Sequence, residues 1–294
     1  MTPLFPFWDR LAIPIGPLTI HGFGILVAVG VMAGARVAQN KAARDGFDPE
    51  VINQLLGWII AGVLIGGHLG HLLFYYPEQM ADDPAKFVAM FKTLASGSLP
   101  SMSELPAVLN VFGGLSSYGG FIATVTLMAI FFRKNNLDFW TYGDPVAYGM
   151  MTGWMFGRLG CFVAHDHPGV ETDFYLGVYG ICPDSYGSST IACHDLGLYE
   201  AIWSGAMAVL FMFKDKVPRH PGYYVGWICV SYGPIRFFMD RFRHIETDTR
   251  YFGLTPAQYF SVAVTLLGIY ILRKNRHREP LRGDWTPEDA IEAS

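Results

Sequence analysis

Charge is scarce in this chain: Asp, Glu, Lys and Arg make up 16% of its 294 residues, well below the roughly 25% usual in soluble proteins. So small a charged complement does not cover a soluble fold of this length, while hydrophobic residues reach 51% and aromatic residues 15%. No basic run is long enough to follow a nucleic acid, and the net charge is −4; no nucleic-acid partner is expected. The terminal cluster Arg273, Lys274, Arg276 and Arg278 reads as a membrane-flanking anchor. Cysteine is also sparse, and four residues cannot build a disulfide framework. Cys161 and Cys229 fall in apolar segments, where a small buried hydrophobe is the ordinary reading. Cys182 and Cys193 share one polar loop, and a bond between them depends on that loop lying in an oxidising compartment.

Other absences narrow the function. There is no HExxH, no CxxC pair and no regular ligand spacing, so the histidines His68, His71, His165, His167 and His194 do not define a metal site. Neither a metal nor another cofactor is expected. No internal repeat appears, which speaks against a transporter built from inverted halves. The N-terminus lacks a basic segment and a small-residue cleavage site, so no removable signal peptide is expected.

What is present is a series of apolar stretches near the ~20 residues that cross a bilayer as a helix. Seven are found, at 18–38, 54–76, 113–132, 143–164, 198–213, 222–240 and 255–272. The expected fold is therefore an all-α polytopic membrane protein, with residues 1–294 forming a single transmembrane domain. Lys and Arg number thirteen on one side of these spans, counting loops 39–53, 133–142 and 214–221, Arg36 and the C-terminal tail, and six on the other. The excess of positive charge marks the cytoplasmic side, which places the C-terminus inside and the N-terminus outside. Two long connections then lie outside. The first, 77–112, is punctuated by prolines and suits an interfacial arm; the second, 165–197, has strand and turn signals and suits a small cap between spans four and five.

Two arginines stand where a bilayer would surround them, Arg158 in GRLGCFVAHDHPG and Arg236 in SYGPIRFFMDRFR. Intramembrane charges face a polar cavity or a partner. A structural ion pair would account for either alone, whereas two on separate helices suit a shared anion, because guanidinium grips phosphate with a forked, permanently charged donor set. Tyr232, Arg236 and Asp240 recur every four residues and share one helical face. Pro234 removes a backbone hydrogen bond within that span and is expected to kink it. Glycine runs at 66–71 and 113–120 mark either tight helix packing or, where Ser116, Ser117 and Tyr118 follow, a polar lining.

These segments resemble the bacterial prolipoprotein diacylglyceryl transferases. The likeness runs through IGPLTIHGFGILVAVG, IGGHLGHLLFYYPEQMADDP, GGLSSYGG, GRLGCFV, HDLGLYE, YGPIRFFMDRFR and LTPAQYFS. It implies a bacterial inner-membrane enzyme that moves a diacylglyceryl group from phosphatidylglycerol to the lipobox cysteine of a preprolipoprotein, forming a thioether and releasing glycerol phosphate. By that resemblance Arg158, Arg236, Tyr118, Asp166 and Asp240 are catalytic candidates. Tyr232, Arg243, Tyr199, Glu200, Ser117, His21, His194 and Cys161 are substrate-binding candidates. The chain departs from the family pattern at several places: Tyr118 replaces a loop histidine, Cys161 an asparagine, and Ala164, His165 and Asp166 an Asn-Gly-Glu run; either Asp166, His165 or His167 then stands in as base, or the phosphate site does most of the work without one. A relative of the same fold using another lipid donor or acceptor, and a non-catalytic phospholipid binder, remain as alternatives.

Overall fold

The computed structural model describes residues 2–15, 18–75, 116–243 and 252–286. Among these, seven α-helices form where the apolar stretches lie: α1 Gly22–Arg44, α2 Glu50–Tyr75, α3 Ser117–Lys134, α4 Phe139–Ala164, α5 Leu196–Lys214, α6 Tyr223–Met239 and α7 Pro256–Asn275. Three of them, α1, α2 and α5, contain windows long and apolar enough to cross a membrane. The arm expected over 77–112 lies outside the described residues.

One expectation is corrected at the N-terminus. The stretch from residue 18 does not begin as a helix: β1 (Ala12–Ile15) pairs antiparallel with β2 (Leu18–His21), and α1 starts only at Gly22. Ile13, Thr19 and Ile20 are β-branched and favour the extended chain, and a short apolar run alone does not distinguish strand from helix. The molecule is mostly helical rather than all-α. His21 becomes the exposed N-cap residue of α1 and makes no side-chain capping bond.

By its contacts the chain divides into two units, Asn53–Phe139 and the remainder, Met1–Ile52 with Trp140–Ser294. In the smaller unit, the glycine run of α2 is a packing surface. A Cβ on Gly70 would stand 2.6 Å from the Cα of Gly119 in α3, a distance real side chains do not reach. Ser116 caps α3, its hydroxyl accepting from Gly119 N, and its own N–H donates to Gly67 O. Trp58 packs on Phe131.

In the larger unit, α1 and α4 approach through glycines. A Cβ on Gly30 would come 2.7 Å from the carbonyl oxygen of Gly153, and one on Gly149 would come 2.7 Å from the amide nitrogen of Ala38. Beyond this seam, Tyr148 and Met151 of α4 join Trp203, Met207 and Phe211 of α5 and Tyr224 and Ile228 of α6 in a buried cluster. The start of α6 is held by Asp144 of α4, whose buried carboxylate accepts from the backbone N–H groups of Gly222, Tyr223, Tyr224 and Val225. Helix α6 continues through Pro234 to Met239.

The stretch 165–197 folds as a three-stranded antiparallel sheet in the order β3-β5-β4, with β3 Pro168–Glu171, β4 Val178–Tyr179 and β5 Ala192–Asp195. Cys182 and Cys193 form a disulfide. Val178 and Ile181 are buried beneath the sheet with Phe5, Trp8 and Phe162 packed against them. This sheet leads directly out of α4 and into α5, and so fixes the neighbouring ends of both helices.

Candidate functional site

Arg158 sits six residues before the end of α4, a helix whose glycines face α1 and whose aromatic residues face α5 and α6. Its Nε lies 2.8 Å from Oε2 of Glu200 in α5. The same carboxylate oxygen accepts from the hydroxyl of Tyr232 in α6 at 3.4 Å. One anion therefore joins three helices. The Tyr232 ring is set against Trp154 and Trp203, each 5.0 Å away between centroids. Arg158 Nη1 also stands 3.9 Å from the thiol sulfur of Cys161, one turn further along α4.

Arg236 makes a separate ion pair one turn from Tyr232. Its Nη1 is 3.3 Å from Oδ1 of Asp240, a residue almost wholly buried in the turn Asp240–Phe242 that ends α6. The other oxygen of Asp240 accepts a short hydrogen bond from the Thr255 hydroxyl. Thr255 in turn forms a capping box with Gln258, and Gln258 Nε2 donates to Phe237 O at 3.3 Å. The N-terminus of α7 thus aims Asp240, and Asp240 holds Arg236. Charge-assisted bonds of this kind are about twice as strong as neutral ones.

These two ion pairs are brought together by the segment that follows α4. The carbonyl of His167 accepts from Leu196 N at the start of α5. Two residues on, Gly169 is packed so closely that a Cβ would meet Phe242 O at 2.5 Å and His194 Cβ at 3.0 Å. The segment therefore lies against the end of α4, the beginning of α5 and the turn after α6. Electrostatics point the same way. Burial first, and then the fields of Arg158, Arg243 and Arg236, push the His167 imidazole down to about 4, as expected where nearby cations oppose a further positive charge. The three arginines act on one ring.

The remaining candidates differ in what holds them. Tyr199 and His194 are paired, hydroxyl to Nδ1, at 2.6 Å, and the His194 ring lies 4.5 Å from that of Phe242; burial pushes its imidazole down. Cys161 is buried and unbonded to other cysteines, beside Gly197 at the head of α5. Arg243 follows the turn and is half-buried. Asp166 is exposed, and burial of its carboxyl pushes it up against the opposing fields of Arg10 and His165. Ser117 and Tyr118 open α3, but their side chains lie outside the described residues. His21, at the foot of the β1–β2 hairpin, is exposed and makes no cap.

Several contributors escape a residue-by-residue reading of the sequence. Thr255 and Gln258 stand in LTPAQ, where the Thr-x-x-Gln spacing signals a helix start but not that the cap also reaches Asp240. Trp154 and Trp203 read as ordinary apolar residues of their spans, yet they brace Tyr232.

The sequence profile of the prolipoprotein diacylglyceryl transferases matches residues 10–273 of this chain. Similar proteins named phosphatidylglycerol–prolipoprotein diacylglyceryl transferase include that of Solidesulfovibrio magneticus, 29% identical over 276 residues, covering 92% of this chain and 95% of its own. That of Janthinobacterium sp. is 29% identical over 288 residues, with 94% and 99% covered. That of Sinorhizobium medicae is 29% identical over 287, with 92% and 94% covered. The match spans both ion pairs and the segment that joins them, and the chain belongs to the prolipoprotein diacylglyceryl transferase family.

Proposed function

We propose that this protein transfers the diacylglyceryl group of phosphatidylglycerol to the lipobox cysteine of a preprolipoprotein, forming a thioether and releasing glycerol phosphate. The observation that carries the reading is the pair of arginines, Arg158 and Arg236, each positioned by a buried carboxylate, with Tyr232, one turn from Arg236, bonded to the carboxylate that holds Arg158. The thiolate sulfur attacks the glycerol carbon that bears the phosphate ester, and the carbon–oxygen bond breaks towards phosphorus. Negative charge grows on the leaving phosphate, and preorganised cationic donors stabilise it as it develops. A guanidinium carries five N–H donors, so an arginine held by one carboxylate retains others for phosphate oxygens. Tyr232, Tyr199, His194, Cys161 and Arg243 would line the donor and acceptor around that centre, with Asp166 and Tyr118 as candidates for proton handling and Ser117 beside Tyr118.

In this reading the protein is a single multi-pass domain of the bacterial inner membrane with seven spans. The N-terminus and the 165–197 cap lie outside and the C-terminus in the cytoplasm. Phosphatidylglycerol enters sideways from the bilayer.

Substitution tests the arginines. Arg236→Ala is expected to lower the transfer rate by about 10²–10³, the loss typical of one donor to a developing oxyanion. For Arg158, replacement by Lys keeps a cation beside Glu200 while removing the fork, and a loss of similar size is expected. Thermal unfolding in detergent checks that both variants remain folded. Full transfer rates in both would contradict the assignment.

A further inference from the structure

The site holds one basic group that the arginine scheme leaves unused. His167 Nδ1 is buried and has no hydrogen-bond partner among the described residues. Native proteins pair nearly all such atoms, and an orphan calls for an explanation. His165, two residues earlier, also has an unpaired Nδ1, but its ring is committed elsewhere: Nε2 is 3.1 Å from the carbonyl of Trp8, and the ring packs against Phe7 and Trp8. Among the described residues no comparable contact engages the His167 ring. Its backbone alone is anchored, through Leu196 N, at the meeting point of three elements. The elements that meet there carry Arg158 and Cys161 on α4, Tyr199 and Glu200 on α5, Arg236 and Asp240 at the end of α6, Arg243 beyond it, and Asp195 paired with Pro168 across the strands.

We infer that His167 is the general base of the transfer, taking the proton of the acceptor thiol on an Nδ1 that the fold leaves sheltered and unpaired beside the arginine-bearing elements. The inference rests on the transferase reading given above. The steps balance. The thiol S–H proton passes to Nδ1 with Nε2 carrying the ring's other hydrogen. The sulfur pair forms the bond to the glycerol carbon. The carbon–oxygen pair leaves on the phosphate, and the imidazolium proton then passes to that phosphate, a monoester with a second pKa of about 6.

The surrounding cations give this base a condition for action. Burial first, and then the three guanidiniums, disfavour a charge on the ring. A phosphodiester seated among them contributes negative charge that offsets their field and raises the ring's basicity. The base is therefore strengthened by the lipid whose displacement it serves, and deprotonation of the acceptor waits for donor occupancy.

The test measures transfer from phosphatidylglycerol to a lipobox peptide by wild type, His167→Gln and His167→Ala across pH 6 to 9, together with phosphatidylglycerol binding. Glutamine keeps polarity and size without a titratable lone pair. The expected result is a loss of about 10²–10⁴ in rate at pH 7 with lipid binding retained. The loss should shrink as pH approaches the thiol's own value near 8.5, and free imidazole should partly restore His167→Ala. A rate unchanged by His167→Gln overturns the inference, as does a loss that is the same at every pH. If the wild type itself shows no transfer, the transferase reading fails and the inference with it, so the two failures are told apart within one experiment.

Discussion

At the scale of single residues, the site depends on carboxylates that are not themselves aimed at substrate. Asp240 divides its two oxygens between Arg236 and the Thr255 hydroxyl. Replacing Thr255 by Val keeps the shape of the side chain and leaves one carboxylate oxygen unpaired in a buried turn. A hydrogen bond to a charged group is worth about 1.5–3 kcal/mol. Part of that loss should appear as looser positioning of Arg236, and transfer by Thr255→Val is expected to fall by roughly tenfold or more, with phosphatidylglycerol affinity falling in parallel. An unchanged rate would show that α7 does not position the arginine.

Asp195 gives a pH prediction of its own. It is fully buried at the head of α5, where Oδ1 caps Leu198 N and Oδ2 has no hydrogen-bond partner among the described residues. Burial pushes its carboxyl up to about 7, against the lowering effect of the backbone bonds. The folded state therefore favours the protonated acid. The stability this contributes is complete below the ordinary carboxylate value near 3.9 and is lost as pH rises through about 7. Asp195→Asn should remove that slope. Melting temperatures of wild type and variant in detergent should thus diverge between pH 4 and 7 in the variant's favour, and parallel curves would contradict the assignment.

Arg158 and Arg236 are legible from sequence because a charge inside an apolar span has few explanations. Thr255 is not, since its importance arises from a neighbour 15 positions away that only the fold supplies.

At the scale of elements, the helices are readable because their apolar runs are long, and a run near 20 residues admits little but a helix. The β1–β2 hairpin is not, because four-residue apolar strands look like the opening of the following span. For the glycine run at 66–71 the distances show packing: a Cβ on Gly66 would stand 2.5 Å from Gly119 O, and one on Gly70 2.6 Å from Gly119 Cα. The clearest inter-element device is Asp144, which satisfies four N–H groups at the start of α6. Loss of a cap commonly costs about 0.5–2 kcal/mol. With four buried donors orphaned at once, Asp144→Ala is expected to lower Tm by roughly 4–8 °C, on the basis of about 2–4 °C per kcal/mol. Because Asp144 stands at the opposite end of α4 from Arg158, the transfer rate of the folded fraction should be nearly unchanged. A loss of activity without a fall in Tm would mean that α6 transmits its state to the site.

At the scale of the whole molecule, the two ends of the larger unit differ in charge. Around the end of α1, Lys41 bridges Asp45 and Asp215, Arg44 joins Asp215, and Lys216, Arg219 and Arg282 line the same cavity of about 270 Å³. The sheet between α4 and α5 carries neither Lys nor Arg over 165–197 and contains the disulfide. The proposed orientation rests on the cation excess expected of a cytoplasmic side and on the oxidising surroundings a disulfide needs. Single cysteines at Asp173 and Asp284, both exposed, test it in intact spheroplasts. A membrane-impermeant maleimide should label Asp173→Cys before lysis and Asp284→Cys only after it, and the reverse pattern would invert the topology. The packing of the sheet against the ends of α4, α5 and α6 was not legible in the sequence, since polar turn-rich segments carry no periodic signal of what they pack against.

The central claim is that paired intramembrane arginines drive transfer of a diacylglyceryl group to a cysteine. Its most direct test is mass spectrometry of a lipobox peptide incubated with the purified protein and phosphatidylglycerol, beside Arg236→Ala. The account predicts a mass gain of one diacylglyceryl group on the peptide cysteine, stoichiometric release of glycerol phosphate, and neither with the variant. Phosphatidylglycerol bound by the protein with no mass gain on the peptide would contradict it.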